Sequence, residues 1–177
     1  MKFLKVLGII IVVLAVIILV GGMFLPKTYT VNRSTVINAP DSVIYKNIAD
    51  YNKFLKWNPW SKMEPTAKTK ISGPVAQSGH LYEWEGDKTG QGSMKIKSVE
   101  TNKMVDIELK FIKPFESVAD TRFDIVPKGV STKVIWTIAG DCSGIFEKWS
   151  GLFMDSMIGK DFEDGLKFLK EKSETGK

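Results

Sequence analysis

The chain has 177 residues, with 25 Lys and Arg against 20 Asp and Glu and a single Cys. One cysteine excludes an internal disulfide and leaves the redox compartment open. Lys2, Lys5 and Lys27 flank an N-terminal apolar run, so the remainder is almost neutral; with Arg33 and Arg122 as its only guanidinium forks, it is not expected to bind nucleic acid.

From Val6 to Leu25 the chain carries no charge, no Asn or Gln and no Pro. At 1.5 Å per helical residue this run reaches about 30 Å, the thickness of a bilayer's hydrocarbon core. Residues 1–27 therefore read as a single-pass membrane anchor, with the soluble domain following on residues 28–172 and a polar tail at 173–177 expected to fray. Lys2 and Lys5 precede the run and Lys27 follows Pro26, which favours an uncleaved anchor with its N-terminus inside and the domain on the extracytoplasmic side. A cleaved secretory signal is the alternative, with Val20-Gly21-Gly22 as its processing site. A lipoprotein signal is excluded, because Cys142 lies far from the N-terminus.

Thr28 to Asn38 alternates with Val31 and Ile37 on one phase, as a strand does, and Ala39-Pro40-Asp41 stops it and opens a helix. Val43, Ile44, Ile48, Phe54 and Leu55 follow at helical spacings, and Asn58-Pro59 ends a segment read as two short helices or one broken one. From Lys68 to Cys142 the period changes to two, punctuated by Gly73-Pro74, Gly86 to Gly92, Thr101-Asn102, Pro114 and Lys128-Gly129, which predicts a meander of five or six strands. From Gly144 to about Lys172 one long helix is expected, capped by Ser143 or Asp141, with Phe146, Trp149, Phe153, Met157, Ile158, Phe162, Leu166 and Leu169 along one side. The order predicts an α+β chain: a curved antiparallel sheet of six to seven strands wrapped around its C-terminal helix, with short helices after the first strand.

Several short motifs in this order resemble one superfamily. They are Ala39-Pro40 with Val43, Ile48 and Asp50; Trp57-Asn58-Pro59-Trp60; Gly79, Tyr82, Trp84 and Gly86; Gly90-Gln91-Gly92 with Met94 and Ile96; and Thr132-Lys133-Val134-Ile135-Trp136. Together they resemble the START-like superfamily of polyketide cyclases/dehydrases and lipid-transport proteins (SRPBCC), over about Thr28 to Leu169. The resemblance implies a helix-grip fold whose sheet and long helix enclose a cavity for apolar ligands. It carries over no catalytic residue, because the superfamily shares none, and a fold alone does not fix a reaction.

The candidates for lining such a cavity are Trp57, Trp60, Tyr82, Trp84, Met94, Trp136, Trp149, Phe153 and Met157. Rings bury wide surfaces while keeping a polar edge, and thioethers adapt to irregular ligands; the same residues could instead fill a solid core. Gly151, Gly159 and Gly165 would allow the sheet or a ligand to approach the last helix, or are simply tolerated within it.

The charged residues give little support to chemistry. Asp106, Glu108, Asp120, Arg122 and Asp124 fall on the solvated phase of their strands, with Asp106 opposite Arg122, and Glu83 and Glu85 alternate outward. His80, the only histidine, is expected on a strand surface with no ligand partners, and Cys142 as a half-buried thiol. Gly90-Gln91-Gly92 lacks the Lys and Ser/Thr of a phosphate loop and reads as a turn or bulge. No catalytic residue, metal or cofactor is assigned.

The expected function is that of a membrane-tethered domain holding a hydrophobic small molecule without transforming it. The first rival is a cyclase- or dehydrase-type enzyme acting through Tyr82, Thr121 and an indole N–H, which an inward Asp106 or Asp120 would favour. The second is a protein-interaction module, since some superfamily members act as co-chaperones; a filled interior and an exposed apolar patch would favour that.

Overall fold

The computed structural model describes residues 2–175. An N-terminal helix α1 (Lys2–Phe24) leads into strand β1 (Thr28–Ile37) and three short helices, α2 (Asp41–Ala49), α3 (Tyr51–Phe54) and α4 (Pro59–Met63). Six strands follow, β2 (Lys68–Ser72), β3 (Leu81–Gly86), β4 (Gly90–Glu100), β5 (Met104–Lys113), β6 (Ser117–Lys128) and β7 (Ser131–Asp141), and then helices α5 (Ile145–Gly151) and α6 (Met154–Thr175). All neighbours in the sheet are antiparallel, in the order β1-β7-β6-β5-β4-β3-β2, so β1 closes on the last strand of the meander. This is the helix-grip arrangement, with α6 held in the concave face of the sheet.

Local chemistry explains where the elements start. The Asp50 carboxylate accepts a hydrogen bond from the Asn52 amide at 3.0 Å and the Asn58 side chain accepts one from Ser61 at 2.9 Å. Each cap restarts a helix. The segment expected as two helices or one broken one is therefore three, and Asn58-Pro59 opens the last of them.

The core is aromatic. Trp136 stacks on Phe162 of α6 with ring centroids 4.0 Å apart and on Phe123 at 4.8 Å. On α6 the buried side chains Phe162, Leu166 and Leu169 recur at helical spacing and face the sheet.

Three expectations are corrected here. The C-terminal helix breaks between Gly151 and Met154: Ser150 donates its hydroxyl to the Phe146 and Glu147 carbonyls, and the Phe153 amide turns back to Ser150 O at 2.9 Å. A glycine and a competing hydroxyl at one place favour such a break. Upstream of it, α5 packs mainly against α1 and touches the sheet only at its Gly151 end: Trp149 Nε1 donates to Ile18 O at 3.1 Å and Lys148 Nζ to Gly22 O at 3.2 Å. Second, residues 173–175 are not a separate tail but the last turn of α6, where Ser173 is buried and takes a 3.0 Å hydrogen bond from Asn47, while Glu174 accepts one from the Asn38 amide; residues 176 and 177 lie outside the described residues. Third, His80 is fully buried, as described below.

The exposed charges pair across the sheet. Asp106 stands opposite Arg122 in register, yet Arg122 turns to Asp124 at 2.7 Å, and Lys97 takes Asp120 at 2.8 Å and Asp106 at 3.5 Å. Arg33 crosses from β1 to α6, meeting Asp155 at 2.8 Å and Glu163 at 2.9 Å.

Candidate functional site: an aromatic cavity

Between the sheet and α6 lies a cavity of about 620 Å³. Tyr82, Trp84, Met94, Leu109 and Phe111, from β3 to β5, form one wall, and Thr121, Trp136 and Ile138, from β6 and β7, form another. Met154, Ile158, Asp161 and Phe162 of α6 close the third side, and Phe54, Asn58, Trp60 and Ser61 cover it from the short helices. Strand alternation places the two sheet walls on one face. Met94 faces Leu109 in register and Tyr82 faces Met94.

Of the residues singled out from the sequence, Trp60, Tyr82, Trp84, Met94 and Trp136 border this space. Trp57 does not. It is buried behind the wall, its indole N–H donating to Asn47 O at 2.8 Å and its ring set edge-on to Trp136. Trp149 lies on α1, and Phe153 and Met157 are 59% and 63% exposed, so none of the three reaches the cavity. Trp149 precedes the helix break, Phe153 lies in it, and Met157 follows it in the first turn of α6 on the side turned away from the sheet.

Two glycines create the walls. A Cβ on Gly92 would collide with the Trp84 ring and the Lys110 carbonyl, so the indole can lie across β4 only because that position is bare. The strand is bulged at the same place, between Gln91 and Gly92, as a turn or bulge reading of this triplet requires. A Cβ on Gly165 would stand 2.7 Å from Cζ3 of Trp136, so the helix must present hydrogen there for the ring to stack on Phe162.

The polar groups facing the cavity are few and mostly engaged. Trp136 Nε1 donates to Thr121 Oγ1 at 2.9 Å, and that hydroxyl donates to Thr137 O at 3.1 Å. Burial pushes the Tyr82 hydroxyl pKa up, and a hydrogen bond with Ser61 partly offsets it. Trp84 Nε1 donates to Thr89 O at 3.2 Å, fastening the wall to the turn after β3.

Sequence reasoning missed two carboxylates at this site. Glu64 follows α4 and is buried; it accepts hydrogen bonds from the backbone amides of Asp87, Lys88 and Thr89 at 2.8, 3.0 and 2.8 Å and from the Thr89 hydroxyl at 2.8 Å. Those bonds, led by the Thr89 amide, hold its pKa down to about 2. A Cβ on Gly86 would strike this carboxylate, so glycine is what lets it enter the turn. Asp161 borders the cavity from α6, and burial, reinforced by nearby Asp164, pushes its carboxyl above the ordinary range. No inward carboxylate was expected, and Asp161 is one.

His80 is not a surface residue. It is 0% exposed, stacked on Tyr51 at 4.7 Å, with Nδ1 3.1 Å from Ser72 O and Nε2 accepting the Tyr51 amide at 3.3 Å. These partners place its proton on Nδ1 and make it a pin between the end of β2 and the start of α3. Cys142 is buried against Gly151, and burial raises its thiol pKa. Among the described residues no three His, Cys, Asp or Glu side chains stand together as a metal-binding group.

A curved sheet gripping a helix around an aromatic hollow defines the helix-grip class of proteins. The chain belongs to the polyketide cyclase/dehydrase and lipid transport family, whose profile matches residues 28–174. Solved structures share the fold. A protein of Thermobifida fusca superposes with a TM-score of 0.63 at 19% identity, covering 81% of this chain and 92% of that one. Protein CV1439 of Chromobacterium violaceum gives 0.62 at 14%, covering 82% and 96%, and the Aha1 dimer of Colwellia psychrerythraea gives 0.59 at 20%, covering 84% and 98%. At these identities the likeness is one of fold. No curated protein sequence matches the chain.

Proposed function

We propose that the protein is a membrane-anchored container that holds an apolar or amphipathic small molecule, lipid-like or polyketide-like, in the cavity between sheet and α6. The observation that carries this reading is the hollow itself. At about 620 Å³ it falls within the range of small-molecule sites, and rings, thioether and aliphatic groups dominate its lining. Burying about 300 Å² of apolar ligand surface is favourable by roughly 7 kcal/mol before association costs, short of the about 8 kcal/mol net that micromolar binding needs, so tight binding requires a preformed site, a larger guest and polar contacts at its end. Asp161 and Ser61 offer a polar end to an amphipathic guest.

The tether is α1, a helix long and apolar enough to span a membrane, exposed along its length except at Gly21 and Gly22, where α5 covers it. Beside a bilayer, the accessible hydrophobic molecules are membrane-derived ones, and the lysine pattern favours an extracytoplasmic domain.

A second reading, proton transfer on a guest in the same cavity, is supported by Asp161, whose raised pKa suits a carboxyl that exchanges a proton. Asp106 and Asp120 lend it nothing, since Lys97 holds both outside.

Mass spectrometry of small molecules retained by the purified full-length chain tests the container. Recovery of a stoichiometric apolar guest, unchanged on incubation, is expected; an empty protein that also fails to take up a fluorescent fatty acid would sink the reading. A guest converted by the native chain but not by Asp161→Asn would select the enzymatic alternative. Resistance of the chain to alkaline extraction, with protease access from outside intact cells, checks anchor and orientation.

A further inference from the structure

The break in the C-terminal helix leaves an apolar surface that the container reading does not use. Phe146 is 80% exposed, Leu152 49%, Phe153 59% and Met157 63%. On α5 and its continuation, Ile145, Phe146, Trp149, Leu152 and Phe153 fall within one arc of the helix, with Lys148 and Ser150 at its two edges and Glu147 on the opposite side.

The position of this surface is fixed by α1. Trp149 Nε1 is bonded to Ile18 O, and its ring lies 3.0 Å from where a Cβ on Gly21 would stand; Ile145 comes within 2.7 Å of the same point on Gly22. The two glycines let α5 approach the backbone of α1. Ile18 lies about 10 Å back along the helix from Leu25, the end of the apolar run. That run is only about as long as the hydrocarbon is thick. Raising α1 far enough to keep α5 in water would draw Lys5, at its other end, about the same distance into hydrocarbon, at a cost of kilocalories.

We propose that α5 and the elbow joining it to α6 lie in the membrane interface, with Phe146, Leu152, Phe153 and Met157 inserted among the acyl chains of a phospholipid bilayer. The inference rests on α1 being a membrane span, and it adds a second contact that fixes how the domain stands. Trp149, bonded to Ile18 O, lies below the headgroups with its indole N–H satisfied by that carbonyl, so its burial in the outer acyl region leaves no donor unpaired. Interfacial helices bury their apolar face about 5–10 Å deep, the depth at which α1 holds α5. The elbow leads straight to Met154 and Ile158, which border the cavity. The end of the cavity nearest Tyr29 therefore stands over the lipid from which a guest would come.

The test uses the full chain in nanodiscs of phosphatidylcholine and phosphatidylglycerol at about three to one. Nitroxide labels are placed singly through Phe153→Cys, Met157→Cys, Val130→Cys and Ile11→Cys, the buried Cys142 being left in place. Collision with oxygen, which concentrates in lipid, is compared with collision with a water-soluble nickel chelate. Val130, 96% exposed in the β6–β7 turn, reports water, and Ile11 in α1 reports lipid. Oxygen-to-nickel ratios at 153 and 157 several-fold above that at 130 are expected. Ratios equal to that at 130 in both variants, with Ile11 reporting lipid, would overturn the proposal and leave the anchor standing. Low access to both reagents at 153 and 157 would also overturn it, by showing protein and not lipid on this face. A watery signal at Ile11 would instead bring down the anchor itself.

Discussion

The indole of Trp136 occupies the space that a side chain at residue 165 would fill: a Cβ on Gly165 would meet its Cζ3 at 2.7 Å and Pro59 Cδ at 3.2 Å. One bare position on α6 thus sets the distance between helix and sheet, and with it the shape of the cavity's end wall.

Replacing Gly165 by Ala sets two effects against each other. Ala favours helix by about 1 kcal/mol, whereas overpacking a close core costs about 1–3 kcal/mol. The neighbours here are a stacked ring and a proline, which yield little. Gly165→Ala is expected to lower stability by about 1–2 kcal/mol in chemical denaturation and to weaken guest binding, whereas a neutral or stabilising result would show that the helix can shift away.

Acid should loosen the turn after β3. Glu64 moves from an ordinary 4.5 down to about 2 in the folded protein, so its contribution is complete above the ordinary value and is lost as pH falls through that interval. The thermal midpoint of the native chain is expected to drop between about pH 4.5 and 2 more steeply than that of Glu64→Gln. Parallel acid limbs would mean that the three amides do not depend on its charge.

Tyr51 offers the opposite case. Its hydroxyl is buried with no hydrogen-bond partner, and burial pushes its pKa up. A buried orphan of this kind costs about 1–3 kcal/mol. Tyr51→Phe is therefore expected to stabilise the fold by about 1 kcal/mol in urea titration, and to do no worse than neutral. Because the folded pKa is raised, the native chain loses stability as pH rises above about 10, where the unfolded tyrosine ionises. The variant should lack that part of the alkaline decline.

Filling the cavity should separate binding from folding. Leu109 stands beside Met94 in the same wall and borders the hollow, so Leu109→Trp places an indole in vacant space. Unchanged unfolding with at least about a tenfold loss of affinity for a fluorescent fatty acid is expected, a difference of 1.4 kcal/mol. Undiminished affinity would place the guest elsewhere.

The sheet was legible in the sequence because its signal is local: the alternation of Val105, Ile107 and Leu109 against Ala119, Thr121 and Phe123 is enough to set Asp106 opposite Arg122. The rings of Trp60, Tyr82, Trp84 and Trp136 could be nominated for the same reason. Glu64 could not, since the amides it accepts from lie 23 to 25 residues further along, in a turn whose composition predicts only a turn. His80 was misjudged because the groups that satisfy it are a carbonyl and an amide, which leave no trace in side-chain patterns. Trp149, Phe153 and Met157 continue the apolar spacing of Phe162 and Leu166, and periodicity cannot tell a face turned to the sheet from one turned to α1, as at Trp149, or outward, as at Phe153 and Met157. The break that separates Trp149 from α6 is the work of Ser150 and Gly151, each unremarkable alone.

Only Leu25, Pro26 and Lys27 separate the end of α1 from the start of β1, a tether that extends to about 10 Å. On the proposed function, so short a leash forbids ferrying: the domain cannot leave one leaflet to deliver its passenger to another membrane. It would work as a fixed berth, where cargo is parked, sheltered or handed to a visiting protein, and any journey beyond that spot would belong to someone else.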